Sequence, residues 1–343
     1  MTETEKLVRD NIRKLIPYSC ARDEYDGGEG IFLDANENPF GHLNRYPDPY
    51  HRKLREAVSR LKGLPVENIF TGNGSDEIID LCYRIFCNPG SDKALIFHPT
   101  YGMYEVSAAV NEIEVIKVSL DENFNLNISA VEPYFKDVKL KLIFICSPNN
   151  PTGNSMNSND IEFIIRNFKG IVIIDEAYIE FSGHPSFSLK IMQYPNLVVM
   201  QTFSKALGLA AARIGMAFAG QEIIKYLFRL KPPYNISTIN QAAALKKLDE
   251  ISESRDQVKK IIEERNGLVK SLAKLKVVEK IYPSDANFLL VRVMDADHIY
   301  NMLLEKGIIV RNRSMMINNC LRITVGTANE NRRMISELEK ITL

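Results

Sequence analysis

The stretch LIFICSPNNPTG, residues 142–153, joins a continuous run of apolar side chains to a polar loop that contains two prolines. Three other runs of the same kind occur at residues 94–97, 171–174 and 197–200, and stretches with helical spacing separate them. Short aliphatic runs that alternate with helices are typical of a parallel sheet that is buried on both faces. The sequence therefore predicts an α/β fold with a mostly parallel sheet between about residues 70 and 220.

The pattern of apolar and charged residues changes after Pro232. Residues 240–275 are charged and repeat apolar side chains at helical spacing, and apolar runs then follow at residues 287–292, 307–311 and 320–326. Short strands grouped with helices in this way are typical of an α+β unit. The sequence therefore predicts a second, smaller α+β domain in the C-terminal part of the chain.

The first 30 residues differ from both of these parts, because a short charged helix is followed by Pro17 and a glycine-rich run. Proline and successive glycines both disfavour regular secondary structure. We therefore predict an N-terminal arm at residues 1–30, a large domain at residues 31–240 and a small C-terminal domain at residues 241–343. Part of the arm is expected to pack with the small domain.

The chain has 343 residues, with 43 Lys and Arg, 43 Asp and Glu, and a formal net charge of zero. This balance argues against a general nucleic-acid binder, because such proteins use a basic excess to displace counterions. No apolar run approaches the length of a transmembrane helix, and the charged start of the chain lacks the apolar core of a signal peptide. We therefore expect a cytoplasmic protein that binds neither nucleic acid nor membrane.

The cysteines and histidines show no spacing that indicates a redox or zinc site. The five cysteines form no Cys-x-x-Cys motif, and the five histidines form no His-x-x-x-His pair. We therefore expect no metal and inert free thiols at all five cysteine positions. These are Cys20, Cys82, Cys87, Cys146 and Cys320.

Polar side chains follow each of the four central apolar runs, at residues 98–102, 147–153, 175–178 and 201–205. In an open parallel sheet, ligands bind beyond the carboxyl ends of the strands. These four segments would therefore bring an aromatic ring, an amide, a carboxylate, a phenol and an amine to one edge, where Arg213 adds a guanidinium. Together the groups describe a pocket for a flat, charged, phosphorylated carbonyl compound.

Lys205 and Asp175 are the two central groups of this predicted pocket. Lys205 follows an apolar strand among small side chains, so its burial is plausible, and a solvated surface lysine is the alternative. A desolvated lysine has a lowered pKa and can form a Schiff base with a carbonyl. Pyridoxal phosphate needs such a lysine together with an acidic partner for its pyridine nitrogen, and Asp175 fits that partner. The alternative for Asp175 is a helix cap.

The segment TGNGSDE, residues 71–77, opens an apolar helix. It is not the dinucleotide fingerprint Gly-x-Gly-x-x-Gly, because Glu77 occupies the third glycine position. A glycine-rich turn into a helix still offers free N–H groups and the positive end of the helix dipole to one phosphate, while a plain capped turn is the alternative. The chain also lacks Gly-x-x-x-x-Gly-Lys-Ser/Thr and Gly-x-Ser-x-Gly, which argues against a nucleoside triphosphatase and a serine hydrolase.

The order and spacing of these motifs resemble the fold-type I pyridoxal-phosphate aminotransferases. The general motifs are SPNNPTG at residues 147–153, DEAY at 175–178, and SK at 204–205 followed by Arg213. The run AAAR at residues 210–213 departs mildly from the family's Ala-Gly-Leu-Arg and leaves the arginine in place. The likeness runs from about residue 10 to 335, and four further motifs resemble the branch of the family that acts on histidinol phosphate. These four are PYSCAR at 17–22, LDANENP at 33–39, RYPDP at 45–49 and CLRITVGT at 320–327.

The resemblance implies a fold-type I architecture in which the large domain binds pyridoxal 5'-phosphate. Lys205 would form the Schiff base, Asp175 would pair with the pyridine nitrogen, and Tyr101 would stack on the ring. Asn150 and Tyr178 would hydrogen-bond the phenolic oxygen of the cofactor. The residues that would surround its phosphate are Ser75, Asp76, Thr202, Ser204 and Arg213.

The resemblance also implies a homodimer, because Tyr46 would reach the cofactor phosphate of the neighbouring subunit and the active sites would be shared. Four residues would face the substrate, namely Tyr18, Asn287, Arg311 and Arg322. The two arginines are the expected anion clamps, since a planar guanidinium binds carboxylate and phosphate alike. The alternative for Arg311 is a surface salt bridge.

The reaction that the resemblance implies is amino transfer from L-histidinol phosphate to 2-oxoglutarate. It gives imidazole acetol phosphate and L-glutamate, as a step of histidine biosynthesis. An aromatic or branched-chain aminotransferase and a phospho-threonine decarboxylase share every cofactor residue and stay open as alternatives. A non-enzymatic regulator on the same fold would need an attached DNA-binding module, for which the arm is too short.

Overall fold

A computed structural model describes residues 2–19 and 30–341 of the chain. The described part contains a seven-stranded sheet and a four-stranded sheet. The strands of the larger sheet are β1 (Ile69–Gly72), β2 (Lys93–His98), β3 (Glu114–Ser119), β4 (Leu140–Cys146), β5 (Ile171–Asp175), β6 (Leu197–Thr202) and β7 (Gly215–Ala219). The strands of the smaller sheet are β8 (Val278–Ile281), β9 (Phe288–Val293), β10 (Arg311–Asn312) and β11 (Cys320–Thr324).

The larger sheet is mostly parallel. Its strand order is β1-β7-β6-β5-β4-β2-β3, and β7 runs antiparallel to both of its neighbours, whereas the other pairs are parallel. The four apolar runs of the sequence form β2, β4, β5 and β6. The prediction of a large, mostly parallel sheet of the fold-type I kind is therefore confirmed.

Helices surround both sheets. No helix in the described ranges is long and apolar enough to cross a membrane. In chain order, the α-helices of the described residues are α1 (Glu3–Leu7), α2 (Asp10–Arg13), α3 (Arg52–Lys62), α4 (Gly74–Phe86), α5 (Met103–Val110), α6 (Ile128–Val131), α7 (Ser158–Asn167), α8 (Gln221–Leu230), α9 (Thr238–Asp249), α10 (Ile251–Leu272), α11 (Ala296–Glu305) and α12 (Ala328–Leu338).

The side chains of the central strands alternate between two apolar cores, one on each face of the larger sheet. Along β4, Ile143 and Ile145 lie in one core, whereas Leu142 and Phe144 lie in the other. Helices α3, α7 and α9 cover the first core, and α4, α5 and α8 cover the second. Burial on both faces explains the continuous aliphatic runs, and it leaves the carboxyl ends of the strands as the polar edge.

Helix α9 belongs to the large part of the molecule. Ala244 is fully buried in the core of the larger sheet, and α9 packs against α3. Helix α10, by contrast, contributes Leu268 and Leu272 to the core of the smaller sheet. The structure therefore moves the predicted boundary from residue 240 to the start of α10, because α9 buries its apolar side chains on the large side.

The smaller sheet is antiparallel, with the strand order β10-β11-β9-β8. Helices α10, α11 and α12 share its apolar core, which confirms the predicted α+β unit. The apolar runs at residues 287–292 and 320–326 form β9 and β11. Of the run at residues 307–311, only Arg311 lies in a strand, because Ile308 packs against the core from irregular backbone.

The described part of the arm packs on the large side of the molecule. Val8 and Ile12 are buried in the core that α4 and α8 cover, and the N–H of Arg9 donates to the carbonyl of Ile85 at 2.9 Å. For residues 2–13 this corrects the expectation that the arm packs with the small domain, because their apolar side chains are buried against α4 and α8. Most of the glycine-rich run lies outside the described residues.

The described cysteines are buried free thiols, namely Cys82, Cys87, Cys146 and Cys320. Burial raises the pKa of Cys82 to about 12, so this thiol stays protonated at neutral pH. These four positions agree with the expectation of inert thiols, while Cys20 lies outside the described residues. No group of three or more His, Cys, Asp or Glu within the described ranges could hold a metal ion.

Gly215 brings β7 into backbone contact with the first turn of α4. A Cβ atom at this position would lie 2.4 Å from the carbonyl carbon of Gly74 and 2.5 Å from the nitrogen of Ser75. We expect Gly215→Ala to lower the free energy of unfolding by about 1–3 kcal/mol or more, because the atoms it meets are backbone atoms and cannot rotate away. Urea denaturation measures the change.

The matched control is Gly183→Ala, where an added Cβ would meet no atom within 4 Å and φ does not lie in the left-handed region. This variant should keep the wild-type free energy of unfolding within about 0.5 kcal/mol. Equal stability of the two variants would contradict the close packing of β7 on α4.

Candidate active site

A cleft of about 330 Å³ opens at the carboxyl ends of β4, β5 and β6 and extends to β10 and β11 of the smaller sheet. Most of the sequence-predicted site residues line it, so the structure brings them together at the edge that the sheet topology indicates. They are Ser75, Asp76, Tyr101, Asn150, Asp175, Tyr178, Thr202, Ser204, Lys205, Arg213, Arg311 and Arg322. The lining residues that were not predicted are Cys146, Ala177 and Arg313.

Asp175 ends β5 and is almost fully buried. Its carboxylate accepts hydrogen bonds from the hydroxyl of Tyr104 at 2.7 Å and from the N–H of Ala177 at 3.0 Å. Burial raises the pKa of Asp175, and these two hydrogen bonds oppose the rise. The helix-cap alternative is wrong, because Tyr178 is the N-cap of the 3₁₀ turn Ile179–Phe181 that follows.

The carboxylate of Asp175 forms no ion pair with a cationic side chain of the described chain. A buried carboxylate without such a partner is costly, and proteins normally pair it with a cation. The arrangement is therefore suited to a ligand that brings a protonated ring nitrogen to Asp175.

Lys205 follows β6 and lines the cleft. Its side chain is accessible rather than buried as the sequence suggested, because the cleft is open at this point. The cleft walls still desolvate its ammonium group in part and lower the pKa of Lys205, and the positive charge of Arg322 lowers it further. The ammonium nitrogen lies 5.6 Å from the centre of the Tyr178 ring. A lowered pKa leaves more of the neutral amine, which is the form that attacks a carbonyl or accepts a proton.

The first turn of α4 forms an anion cradle beside the lysine. Gly74 has a φ of +77°, and a Cβ atom there would lie 2.7 Å from Nη2 of Arg213. Arg213 pairs with Asp76 at 3.3 Å and approaches the hydroxyl of Ser204 at 3.5 Å. Asn73 precedes the helix without a side-chain capping bond, so N–H groups of the first turn stay available. These N–H groups, the helix dipole and the guanidinium are together suited to a phosphate.

Two tyrosines form aromatic walls of the cleft. The hydroxyl of Tyr101 donates to Oδ1 of Asp76 at 3.0 Å, and its ring lies edge-to-face on Tyr104 with 5.6 Å between centres. The ring of Tyr178 lies edge-to-face on Phe288 at 5.2 Å. Burial raises the pKa of both phenols that line the cleft, so each stays protonated at neutral pH and can donate a hydrogen bond.

The SPNNPTG loop places Asn150 against the smaller sheet, where the guanidinium of Arg322 donates to its Oδ1. The loop is held from inside by Asn149, which is almost fully buried. The side-chain amide of Asn149 donates to the carbonyl of Pro99 at 2.9 Å and to the hydroxyl of Thr152 at 2.8 Å. These bonds fix the loop, and with it the position of Asn150.

Arginines supply the positive charge on the side of the smaller sheet. Arg311 of β10 is paired with Arg322 of β11 across the sheet. The guanidinium carbon of Arg322 lies 5.3 Å from the centre of the Phe288 ring, and desolvation lowers the pKa of Arg322. Arg311 forms no ion pair with a carboxylate of the described residues, which argues against the surface salt-bridge alternative.

Three predicted site residues lie outside this cleft. Tyr46 is half-exposed, stacks on Tyr234 with 4.4 Å between ring centres, and lines a separate cavity of about 460 Å³. Tyr18 is largely exposed and lines another small cavity. Asn287 precedes β9, where its carbonyl accepts a hydrogen bond from the N–H of Val325 at 2.9 Å. Within one chain, the structure does not bring these three side chains to the cleft.

Sequence reasoning missed two buried residues that position the site. Tyr104 is fully buried, stacks on Phe144 with 4.9 Å between ring centres, and donates its hydroxyl proton to Asp175. The sequence did not indicate this role, because a tyrosine on the apolar face of a helix is typical of a residue in the hydrophobic core. The sequence could have indicated Asn149, because it lies in the SPNNPTG loop next to Asn150, which was predicted as a site residue.

Comparisons with known proteins agree with this geometry. The chain matches the family model described as Aminotransferase class I and II over residues 24–338. It is 50% identical over 342 residues to a histidinol-phosphate aminotransferase of Cytophaga hutchinsonii, which covers 98% of both chains. It is similar to the solved histidinol-phosphate aminotransferase of Clostridium acetobutylicum, with 26% identity, a TM-score of 0.79, and coverage of 87% of this chain and 90% of that one. It shares the fold of the Sinorhizobium meliloti histidinol-phosphate aminotransferase in complex with pyridoxal-5'-phosphate, with 22% identity, a TM-score of 0.80 and coverage of 89% of each chain.

Proposed function

Since this chain belongs to the aminotransferase class I and II family, we propose that it transfers the amino group of L-histidinol phosphate to 2-oxoglutarate with pyridoxal 5'-phosphate as cofactor. The products are imidazole acetol phosphate and L-glutamate, in a step of histidine biosynthesis. One observation carries the proposal. A single cleft combines a buried carboxylate that has no cationic partner among the described residues, an accessible lysine of lowered pKa, an anion cradle and a wall of arginines.

The residues of the cleft fit pyridoxal 5'-phosphate. Arg213 and the first turn of α4 would hold its phosphate, and the carboxylate of Asp175 would pair with its pyridine nitrogen. Tyr101 would stack on the ring, while Tyr178 and Asn150 would hydrogen-bond the ring oxygen. When bound, the cofactor supplies an electron sink for the carbon from which a proton is removed. The other side chains around the phosphate would be Ser75, Asp76, Thr202 and Ser204.

Lys205 is the group that moves the proton. Its Nζ would take the α-proton of the bound amino donor and hold it until it is returned, first as general base and then as general acid. Desolvation and the charge of Arg322 both lower the pKa of Lys205, so the neutral amine is available at a lower pH than for a free lysine.

The cleft has to accept two dissimilar anions in turn. Glutamate carries two carboxylates, whereas L-histidinol phosphate carries one phosphate and no carboxylate. A guanidinium fork can bind either group through two parallel hydrogen bonds. Arg311 and Arg322 would therefore hold both amino donors, and the roles of Tyr18 and Asn287 beside them stay predictions.

Turnover of three amino donors in parallel tests this proposal. The holoenzyme is supplied with 2-oxoglutarate and with L-histidinol phosphate, L-phenylalanine or O-phospho-L-threonine. We expect kcat/KM for L-histidinol phosphate to exceed the other values by at least about 100-fold, because phenylalanine would leave the donors for the phosphate unpaired and phosphothreonine lacks the imidazole ring. Preferred turnover of phenylalanine, or release of carbon dioxide from phosphothreonine, would overturn the proposal in favour of the corresponding alternative.

We also propose that the enzyme is a homodimer with shared active sites. The segment before α3 exposes large apolar side chains at Ile31, Leu33, Phe40 and Leu43, close in sequence to Tyr46. Exposed apolar surface of this extent is typical of an interaction site, and a second copy of the chain would cover it in a two-fold symmetric dimer. The hydroxyl of Tyr46 would then donate a hydrogen bond to the cofactor phosphate of the partner subunit.

Subunit exchange tests the shared site. We expect Tyr46→Phe and Lys205→Ala homodimers each to be strongly impaired, the first by roughly 10–100-fold, because it loses a charge-assisted hydrogen bond of about 1.5–3 kcal/mol. Mixing them should restore about half of the wild-type activity per heterodimer, since one of its sites then contains Lys205 and Tyr46 from different chains and the other contains both lesions. No gain on mixing, or an active species that sediments as a monomer, would contradict the shared site.

The domain division and the location are further parts of the proposal. We propose an arm at residues 1–30 and two domains that meet at the start of α10. Two calorimetric unfolding transitions of the cofactor-free protein would support two domains, and one cooperative transition would not.

We propose a cytoplasmic location, because a doubly charged phosphate ester does not cross a lipid bilayer unaided. Cell fractionation checks this location.

A further inference from the structure

Arg313 lines the cleft beside Arg311 and Arg322. It follows β10, and its N–H donates to the carbonyl of Cys320 at 2.8 Å, so the pairing with β11 continues to this residue. Side chains two positions apart on an extended strand point to the same face. Because Arg311 is also paired with Arg322 across the sheet, three guanidinium groups share one wall of the cleft.

The three guanidinium groups place three positive charges on one wall of the cleft. None of them forms an ion pair with a carboxylate of the described chain. Desolvation lowers the pKa of Arg313 to about 10, and repulsion by Arg322 and Arg311 contributes to the shift. An anion bound between the three groups would relieve this repulsion.

Arg313 also has hydrogen-bond donors that are not used among the described residues. Its buried Nε has no partner among the described residues, and its Nη1 contacts the sulfur of Met316 at 4.0 Å, which is a weak acceptor. Arg322, by contrast, donates to Asn150 and lies over the Phe288 ring. Buried polar atoms in native proteins nearly always have a partner, so a ligand is the expected partner of Arg313.

We propose that Arg313 binds the phosphate dianion of the phosphorylated amino donor and thereby sets the preference of the cleft for that substrate over a dicarboxylate. The inference rests on the proposed function. A phosphate monoester carries a charge of about −1.5 to −2 at pH 7 and presents three terminal oxygens, so it can accept from two guanidinium forks at once. Arg311 and Arg322 can bind glutamate, one for each carboxylate. Arg313 then has no carboxylate to bind. Arg313 is therefore a specificity residue for the phosphate ester.

Arg313→Gln tests this role when the two amino donors are measured separately, through the absorbance change of the bound cofactor. We expect kcat/KM for L-histidinol phosphate to fall roughly 10–100-fold, mainly through KM, while the value for L-glutamate stays within about threefold. Arg313→Lys keeps the charge but loses the fork, so its loss should be smaller. The control is Arg255→Gln, which removes an exposed charge from α10 and should leave both values unchanged.

A binding measurement separates recognition from turnover. Calorimetric titration of the holoenzyme with inorganic phosphate should show weaker binding for Arg313→Gln than for the wild type, by a factor similar to the rise in KM. Equal losses for both amino donors, or no loss for L-histidinol phosphate, would overturn the role of Arg313. A wild-type enzyme that does not use L-histidinol phosphate would overturn the proposed function instead. If Arg313→Gln does not fold, the same comparison with Arg313→Lys decides between the outcomes.

Discussion

Lys205→Ala should abolish transamination, with a loss of at least about 1,000-fold in turnover, while the protein still folds and binds pyridoxal phosphate noncovalently. The change removes the amine that we propose takes and returns the α-proton, and a positioned acid–base group contributes about 10²–10⁴-fold by itself. Cofactor binding should persist, because Arg213 and the first turn of α4, which lie beside each other, would hold the phosphate end independently of Lys205. Single-turnover kinetics measure the first effect, and equilibrium dialysis of the cofactor measures the second.

The control for this variant is Lys169→Ala, which removes an exposed lysine outside the cleft. It should keep wild-type turnover. If Lys205→Ala also turned over at a rate near that of the wild type, Lys205 would not be the base and the account of proton transfer would be wrong.

Asp175→Asn should lower kcat/KM by at least about 100-fold. The carboxylate is buried, and under the proposed function it would pair in the holoenzyme with the protonated pyridine nitrogen, which a neutral amide could not keep charged. Breaking a buried ion pair by removing one partner costs about 3–5 kcal/mol, and each 1.36 kcal/mol on a barrier is about tenfold in rate. Steady-state kinetics with L-histidinol phosphate measure the loss.

Glu176→Gln is the matched control for Asp175→Asn, because Glu176 is a neighbouring buried acid that does not line the cleft. Its carboxylate accepts hydrogen bonds from Ser186 at 2.5 Å and Gln201 at 2.8 Å, and burial raises the pKa of Glu176 to about 7. We expect this variant to lose stability but to keep kcat/KM within about threefold. Unchanged kinetics of Asp175→Asn would reduce Asp175 to a structural residue.

The sequence indicated four strands of the larger sheet as apolar runs but not β1, β3 and β7. Four strands are buried on both faces and therefore consist of continuous aliphatic runs, namely β2, β4, β5 and β6. β3 lies at the edge of the sheet with most of its residues partly exposed, so it shows no continuous apolar run. β7 consists of small residues, Met216 and Phe218, so it shows no aliphatic run, and the role of its Gly215 depends on a contact with α4 that only the fold creates.

The composition of the site followed from the sequence, because parallel strands bring their carboxyl ends to one edge. The third guanidinium did not follow, since Arg313 lies in a loop-like stretch whose pairing with Cys320 appears only in the folded sheet. The accessibility of Lys205 was also missed, because spacing along the chain does not show where a cleft is open. The position of Tyr46 relative to a partner subunit stays a prediction, because it depends on contacts between chains that the spacing of residues along one chain does not show.

The absorption spectrum of the purified holoenzyme during one half-reaction shows directly whether the cleft exchanges an amino group and whether Lys205 is required for it. Adding L-histidinol phosphate without an amino acceptor should convert the yellow, lysine-bound cofactor to its amino form, and adding 2-oxoglutarate should then restore the yellow absorbance. Lys205→Ala should show no such cycle. A wild-type spectrum that does not change with L-histidinol phosphate, or a cycle that persists in Lys205→Ala, would contradict the account.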